Sequence, residues 1–400
     1  GYGVEMGDEG LNPHHNYSGW SAVRYGVGET LFKFSDSMEP EPWLATGYEF
    51  VDDVTVKITL REDVDFTSGR HMDAEAVKEC LEHLIQVHDR APGDLKIASI
   101  EADGYVLTII TTEPTPALIH YLCDPYGAII DMEYGVTEDD NVAGTGPYMA
   151  ESVSDTEITL VKNEHYWNGT PKVDRVIVRS ITDGDTLTMA LQSGEIDATY
   201  GLPYASYPLF ENENYQISSC ATSRVFFAQM NFDSPVLQDE KVREAIAMGI
   251  NKEDFVAVLL DGHGEAAAGA FPDNFSFGNE TVNAPAYDPE GARALLAEAG
   301  WTDTDGDGYA DRDGEPLTIR WLTYPGRQEL PLLAQSAQAT LGEIGIRVEI
   351  NSTASHHQYL ESGEFDIYAS ALVTAPTGDP EYFFTTCCLD ASAKNAGNYH

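Results

Sequence analysis

The sequence predicts an α/β protein built as two lobes. Strand-type and helix-type patterns alternate along the chain, and a second strand–helix series starts at about residue 226. In addition, 400 residues with 42% hydrophobic content can bury more than one core. Strands that alternate with helices imply a sheet that is at least partly parallel.

In the first series, Val54–Thr55–Val56–Lys57–Ile58–Thr59–Leu60 alternates with the period of a half-buried strand. Asp73 follows as the N-cap of a helix opening Ala74–Glu75–Ala76–Val77, with an acidic first turn. Tyr105 to Thr111, Glu157 to Val161 and Asp174 to Arg179 read as strands. Residues 187–193 read as a helix ended by Gly194, with a short strand at Ile196–Asp197–Ala198–Thr199. Gly1–Tyr2–Gly3–Val4–Glu5 looks like a strand already under way, as if a preceding segment had been removed. In the second series, the strand Val225–Phe226–Phe227–Ala228–Gln229–Met230 leads to a helix over 239–248. A further helix over 289–299 has Pro289 in its first turn and Gly300 past its end. Strands at 317–322 and 346–350 flank a third helix over 330–341, and Phe365–Asp366–Ile367–Tyr368–Ala369 closes the set.

The formal charge of −45, from 67 acidic and 22 basic residues, excludes nucleic-acid binding, which needs cationic surface to displace counterions. The same charge favours solubility and attraction of cations, or is simply a solvated acidic surface. No run of about 18 apolar residues exists that could span a membrane. The five cysteines form no Cys-x-x-Cys, which excludes a zinc ribbon or a thioredoxin-type site, and an odd number leaves at least one thiol unpaired or paired between chains. Cys387 and Cys388 are adjacent and poorly placed to bridge each other, so buried thiols packing as small hydrophobes are expected. Gly-x-Ser-x-Gly, His-Glu-x-x-His and Ser-x-x-Lys are absent, and the chain reads as a non-enzyme.

Two patterns can be read as metal sites. His14–His15 is a vicinal pair of the kind that binds a borderline metal such as nickel through neutral imidazoles, or an ordinary loop pair. Asp303, Asp305, Asp307 and Asp311 alternate around Gly306 like a calcium loop, although Gly314 stands where an EF-hand needs Glu, and an acidic turn fits as well. His356–His357 reads as surface. Among the aromatics, Trp20, Tyr126, Tyr200, Tyr204 and Tyr207 are candidates for the walls of a cleft, against the alternative that they are core.

Motif order adds a resemblance over about residues 11–384. The motifs are Leu11–Asn12–Pro13, Glu29–Thr30–Leu31, Pro42–Trp43–Leu44–Ala45, Leu60–Arg61 through Val64 to Phe66, and Gly69 followed by Asp73–Ala74–Glu75. They continue with Gly144–Thr145–Gly146–Pro147–Tyr148, Asn163–Glu164–His165–Tyr166–Trp167, Gly194–Glu195–Ile196–Asp197, Val242–Arg243–Glu244–Ala245–Ile246, Tyr287–Asp288–Pro289 with Ala299–Gly300–Trp301, and Gly378–Asp379–Pro380. In this order they resemble the large extracytoplasmic solute-binding proteins of ABC importers, family 5, the peptide/nickel family. Arg24–Tyr25–Gly26–Val27–Gly28–Glu29–Thr30–Leu31 is closest to its nickel-type branch.

The resemblance implies a two-lobed periplasmic-binding-protein-like fold (type II, large cluster C). Lobe I is expected over 1–228 with an inserted subdomain over about 33–160, and lobe II over 229–400, with a hinge near 226–231; the family's final return to lobe I is expected to be missing here, since the sequence stops at His400. The implied function is binding nickel, as a small chelate of the nickel–histidine type, in an interlobe cleft for delivery to a permease. A short-peptide ligand is the alternative. By this resemblance His14, His15, Tyr17 and Trp20 lie on a loop bordering the cleft, and Tyr126, Tyr204, Thr374 and Thr377 are further ligand contacts. Arg24 would clamp a chelator carboxylate, or pair with Glu29 or a neighbouring acid instead. The peptide branch holds a peptide ammonium with an Asp where this chain has Pro376, whereas the nickel branch often has an Arg near the Pro-aromatic stretch, which reads here Cys123–Asp124–Pro125–Tyr126–Gly127 with no Arg. No cofactor is required; nickel is cargo and calcium an optional ion. The implied partners are the ligand and the permease subunits, the implied state is a monomer, and the implied location is extracytoplasmic, with an N-terminal lipid as the membrane anchor.

Overall fold

A computed structural model describes residues 2–4 (backbone), 10–220, 222–272, 275, 277, 278, 282 and 284–388. Gly1 and Glu5 of the predicted N-terminal strand lie outside the described residues; Tyr2–Val4 is a strand. The chain divides into two units: 1–203 with Thr377–Asp379, and 204–376 with 380–400.

In the first unit, a five-stranded sheet has the order Ala198–Thr199, Tyr2–Val4, Arg175–Ser180, Glu157–Lys162, Tyr148–Val153. A separate four-stranded antiparallel sheet has the order Ala45–Asp52, Thr55–Leu60, Val106–Thr111, Ile97–Asp103. The helix Ala74–Val87 packs on it, and Asp73 caps that helix through a hydrogen bond from the Ala76 amide. The inserted sheet therefore spans 45–111. Residues 148–162 belong to the other sheet, because their hairpin pairs with Arg175–Ser180.

Glu29 is the point where motifs distant in sequence meet. Its carboxylate is buried and accepts hydrogen bonds from Trp43 Nε1 (2.8 Å), Tyr166 OH (2.6 Å), Thr145 Oγ1 (2.9 Å) and Trp167 Nε1 (3.0 Å). All four donors are neutral. Lys33 and Arg61 stack over the indoles of Trp43 and Trp167 at 4.0 and 4.1 Å from the ring centroids. Burial, and then the Glu29 carboxylate, hold the Tyr166 phenol above its usual range, so it stays a donor. Thr145 reaches Glu29 because glycines flank it: a Cβ on Gly144 or Gly146 would stand 2.0 or 2.2 Å from the carbonyl oxygens of Val27 and Gly26.

The second unit is built on a four-stranded sheet of order Arg224–Met230, Ile367–Val373, Thr318–Thr323, Arg347–Ser352. The first pair is antiparallel and the others are parallel. Helices Glu240–Gly249, Pro289–Glu298 and Glu329–Glu343 supply its core with Val242, Ile246, Leu296, Ala334 and Leu341. Asp288 caps the helix that opens with Pro289. These elements match the sequence reading, but the domain boundary does not. The division falls at Pro203/Tyr204, not at 228/229, because Arg224–Met230 pairs along its whole length with Ile367–Val373. A strand held that way belongs to its sheet and is a poor hinge. Three later residues, Thr377–Asp379, group with the first unit. No helix among the described residues is long and apolar enough to cross a membrane.

Candidate functional site

The N-terminal loop is folded by its own polar groups. Asn12 Oδ1 accepts from the His14 amide (3.1 Å), and the Ser18 hydroxyl donates to the His15 carbonyl (2.7 Å). The helix Ser18–Arg24 follows and lies on the turn Pro125–Gly127. That approach requires Gly19, whose Cβ would meet the Pro125 carbonyl oxygen at 2.5 Å.

This loop parts the two histidines. His15 is exposed, with Nε2 3.1 Å from the Asn16 amide nitrogen. His14 is 2% exposed and packs against the helix Ala74–Val87. Its Nδ1 lies 2.7 Å from His83 Nδ1 and its Nε2 lies 3.5 Å from Cys80 Sγ. Burial, then His83 and His88, push the His14 pKa down to about 3. The expectation that His14 and His15 face one metal is therefore corrected: the His14 ring has both nitrogens engaged and faces the core.

Tyr17 (61% exposed) and Trp20 (46% exposed) are open to solvent. Arg24 is exposed as well, and its guanidinium sits over the Tyr200 ring at 4.9 Å. The alternative pairing of Arg24 with Glu29 does not form, since the Glu29 oxygens are taken by the four donors above. Tyr126 is 2% exposed, and its hydroxyl donates to Asp94 (3.3 Å). Its placement as a cleft wall is corrected to a buried support. Above it lies a residue that the sequence reading missed. Arg90 is 5.2 Å from the Tyr126 ring centroid and 5.3 Å from that of Tyr17, with Nη1 3.5 Å from Asp124. Burial pushes the Asp124 carboxyl up, opposed by Arg90. The Pro-aromatic turn thus has an arginine beside it after all, contributed by a residue more than thirty positions earlier in the chain. Only the contact, not the spacing, could reveal it.

The remaining candidates are spread over the molecule. Tyr204 is half-buried in the second unit; its hydroxyl donates to Glu329 (2.8 Å) and its amide to Gln328. Thr374 is fully buried and donates to the Ser223 carbonyl (3.1 Å), so its hydroxyl is already used. Thr377, in the first unit, is 4% exposed. In the acidic loop, Asp303, Asp305 and Asp311 each bring a carboxylate oxygen within 4.8 Å of the others. Asp303 accepts from the amides of Gly306 and Gly308, Asp311 accepts from Thr304, and Asp307 faces Arg347 at 3.5 Å. Those bonds close an acidic turn on themselves. His356 is half-buried and stacks on Tyr324 (4.6 Å between centroids) with Tyr368 close by (5.8 Å), while His357 is exposed.

Comparison with known proteins places this geometry in context. A nickel-binding protein, NikA, from Staphylococcus aureus is 29% identical over 381 residues, covering 94% of this chain and 75% of that protein. A glutathione-binding protein, GsiB, from Salmonella paratyphi A is 31% identical over 343 residues, covering 83% of this chain and 64% of that protein. The solved structure of Staphylococcus aureus NikA in complex with Ni(L-His)2 superposes with a TM-score of 0.78 at 28% identity, covering 100% of this chain and 83% of that one. The model of the bacterial extracellular solute-binding proteins, family 5 Middle, matches residues 39–395. This chain belongs to the bacterial extracellular solute-binding proteins of family 5.

Proposed function

We propose that the chain is the substrate-binding component of an ABC importer, not an enzyme, and that it carries nickel as a small chelate of the nickel–histidine type to the permease. The observation that carries this reading is the likeness, over 100% of this chain and 83% of the other, to a protein solved with Ni(L-His)2. Exposed and half-buried residues of the first unit fit such a cargo. A bis-amino-acid chelate presents carboxylates and flat imidazole rings. Arg24 and Arg90 offer forked donors for the carboxylates, and Tyr17, Trp20 and Tyr200 offer aromatic faces. His15 is the exposed imidazole of the loop. The chelate brings its own nitrogen ligands, so the protein needs few.

Calorimetric titration of nickel with excess L-histidine is the test. Binding is expected for the parent chain, and Arg90→Ala should weaken it by about 10-fold or more, the value of one lost charge-assisted hydrogen bond. Equal affinity in parent and variant removes Arg90 from the site. No binding of the nickel–histidine complex at all removes the nickel reading.

A second reading rests on the glutathione-binding relatives. A peptide ammonium needs a buried counter-charge, and Pro376 stands where the peptide branch carries its Asp. Titration with glutathione and with di- to pentapeptides in the same cell is expected to give no heat. Strong peptide binding without nickel would reverse the ranking.

Delivery requires a bound state that the permease can tell from the empty one, and ligand binding selects it from an existing equilibrium. We place the movable points where the chain passes from one unit to the other, at Pro203–Tyr204 and 376–380, since Arg224–Met230 is paired along its whole length. Small-angle scattering should record a smaller radius with saturating nickel–histidine; an unchanged radius counts against closure.

A further inference from the structure

We propose that Glu211, Asp261 and His263 form a binding site for a borderline divalent cation of the zinc–nickel–copper class, wholly inside the second unit. A ring nitrogen of His263 and one carboxylate oxygen from each acid lie within 4.8 Å of one another. Donors held about 2.1 Å from one ion stand roughly 3–4.2 Å apart, which this spacing accommodates with little movement.

The imidazole itself points to a ligand. His263 Nε2 is buried and has no hydrogen-bond partner among the described residues. A buried polar atom without a partner is uncommon, and an imidazole nitrogen is also a metal donor. The ring is held in place by aromatic contacts: Tyr207 packs on it at 4.3 Å between centroids, and Tyr204 flanks it at 6.2 Å. Glu211 and Asp261 are exposed, and no Lys or Arg forms an ion pair with either among the described residues. Two uncompensated carboxylates attract a cation more strongly than they repel each other once it sits between them. The chain's charge of −45 adds to that attraction.

The donor set decides the class of ion. Calcium and magnesium prefer oxygen alone, and one imidazole with two carboxylates suits zinc, nickel or copper. In the acidic loop at Asp303 the carboxylates are spent on backbone amides and on Thr304; here a histidine nitrogen has no such use. The ion would tie the opening turn of the unit, Tyr204–Leu209 with Glu211 just beyond it, to the loop that follows Phe255–Leu259. It would do so independently of any chelate bound elsewhere.

The test uses zinc chloride and, separately, nickel chloride on the full chain with no histidine or other chelator present. One equivalent is expected to bind. His263→Gln and Asp261→Asn should each weaken binding by at least about 10-fold, since even residues that merely orient a metal ligand cost that much. Asparagine tolerates the left-handed backbone at Asp261 (φ 50°), so that variant keeps the loop. Matching thermal melts of the metal-free proteins show that the variants are folded. Electron paramagnetic resonance with copper should show nitrogen hyperfine coupling that His263→Gln loses. Absence of zinc and nickel binding, unchanged affinity in both variants, or displacement by an equal concentration of calcium would each overturn the proposal. Those outcomes leave the nickel–histidine reading untouched, because that reading is tested with the chelate.

Discussion

Glu29→Ala is expected to destabilise the protein by about 3–5 kcal/mol. The alanine leaves the hydroxyls of Thr145 and Tyr166 and the indole N–H groups of Trp43 and Trp167 without their acceptor. A buried donor left unpaired costs about 1–3 kcal/mol, and the four losses overlap because relaxation and water entry recover part of each. Glu29→Gln separates charge from shape. It keeps one acceptor oxygen but turns an NH2 toward two of the donors. The Thr145 hydroxyl can rotate to accept, while an indole N–H cannot. A loss of about 2 kcal/mol is expected, from one buried donor facing another. Urea unfolding reads both variants, with the slope against denaturant unchanged and only the midpoint moved. A loss under about 1 kcal/mol for Glu29→Ala would mean that the hub is a contact without energetic weight.

Acid is expected to weaken the first unit through His14. In the unfolded chain an imidazole takes up its proton near pH 6.5; in the fold His14 does so only near 3, because burial and then the neighbouring His83 and His88 disfavour the charge. Between those values the unfolded state binds the extra proton, so stability contributed by neutral His14 is present above 6.5 and is lost as pH falls. From pH 7 to 4.5 the loss is about 2–3 kcal/mol. His14→Gln removes this titration. The difference in stability between pH 7 and 4.5 should therefore be smaller in the variant by that amount, with the carboxylates common to both proteins cancelling. Identical pH profiles would show that the unfolding reaction leaves His14 buried.

Local signals in the sequence mapped well onto local structure. Asp73, read as an N-cap, stands before its helix and accepts a hydrogen bond from the Ala76 amide in its first turn. Val54 to Leu60 alternates because one side of that strand faces a core, with Val56, Ile58 and Leu60 buried. The order of motifs was enough to place the chain in its family. Their purpose was not visible. Pro-Trp, Gly-Thr-Gly-Pro-Tyr and Tyr-Trp look like three separate signatures until their side chains are seen to close around one carboxylate.

Periodicity and capping determined the α/β class, most helices and the alternation that suggested two lobes, because they depend on neighbours within one or two turns. Only the tertiary structure decided that His14 faces inward while His15 faces out, and that Arg90 lies over Tyr126. It also moved the boundary to Pro203/Tyr204 and brought His263 to Glu211 and Asp261. The physical reason is the same in each case. Whether a polar side chain is buried, and against what, depends on residues tens to hundreds of positions away, and local pattern carries no information about which of them arrive.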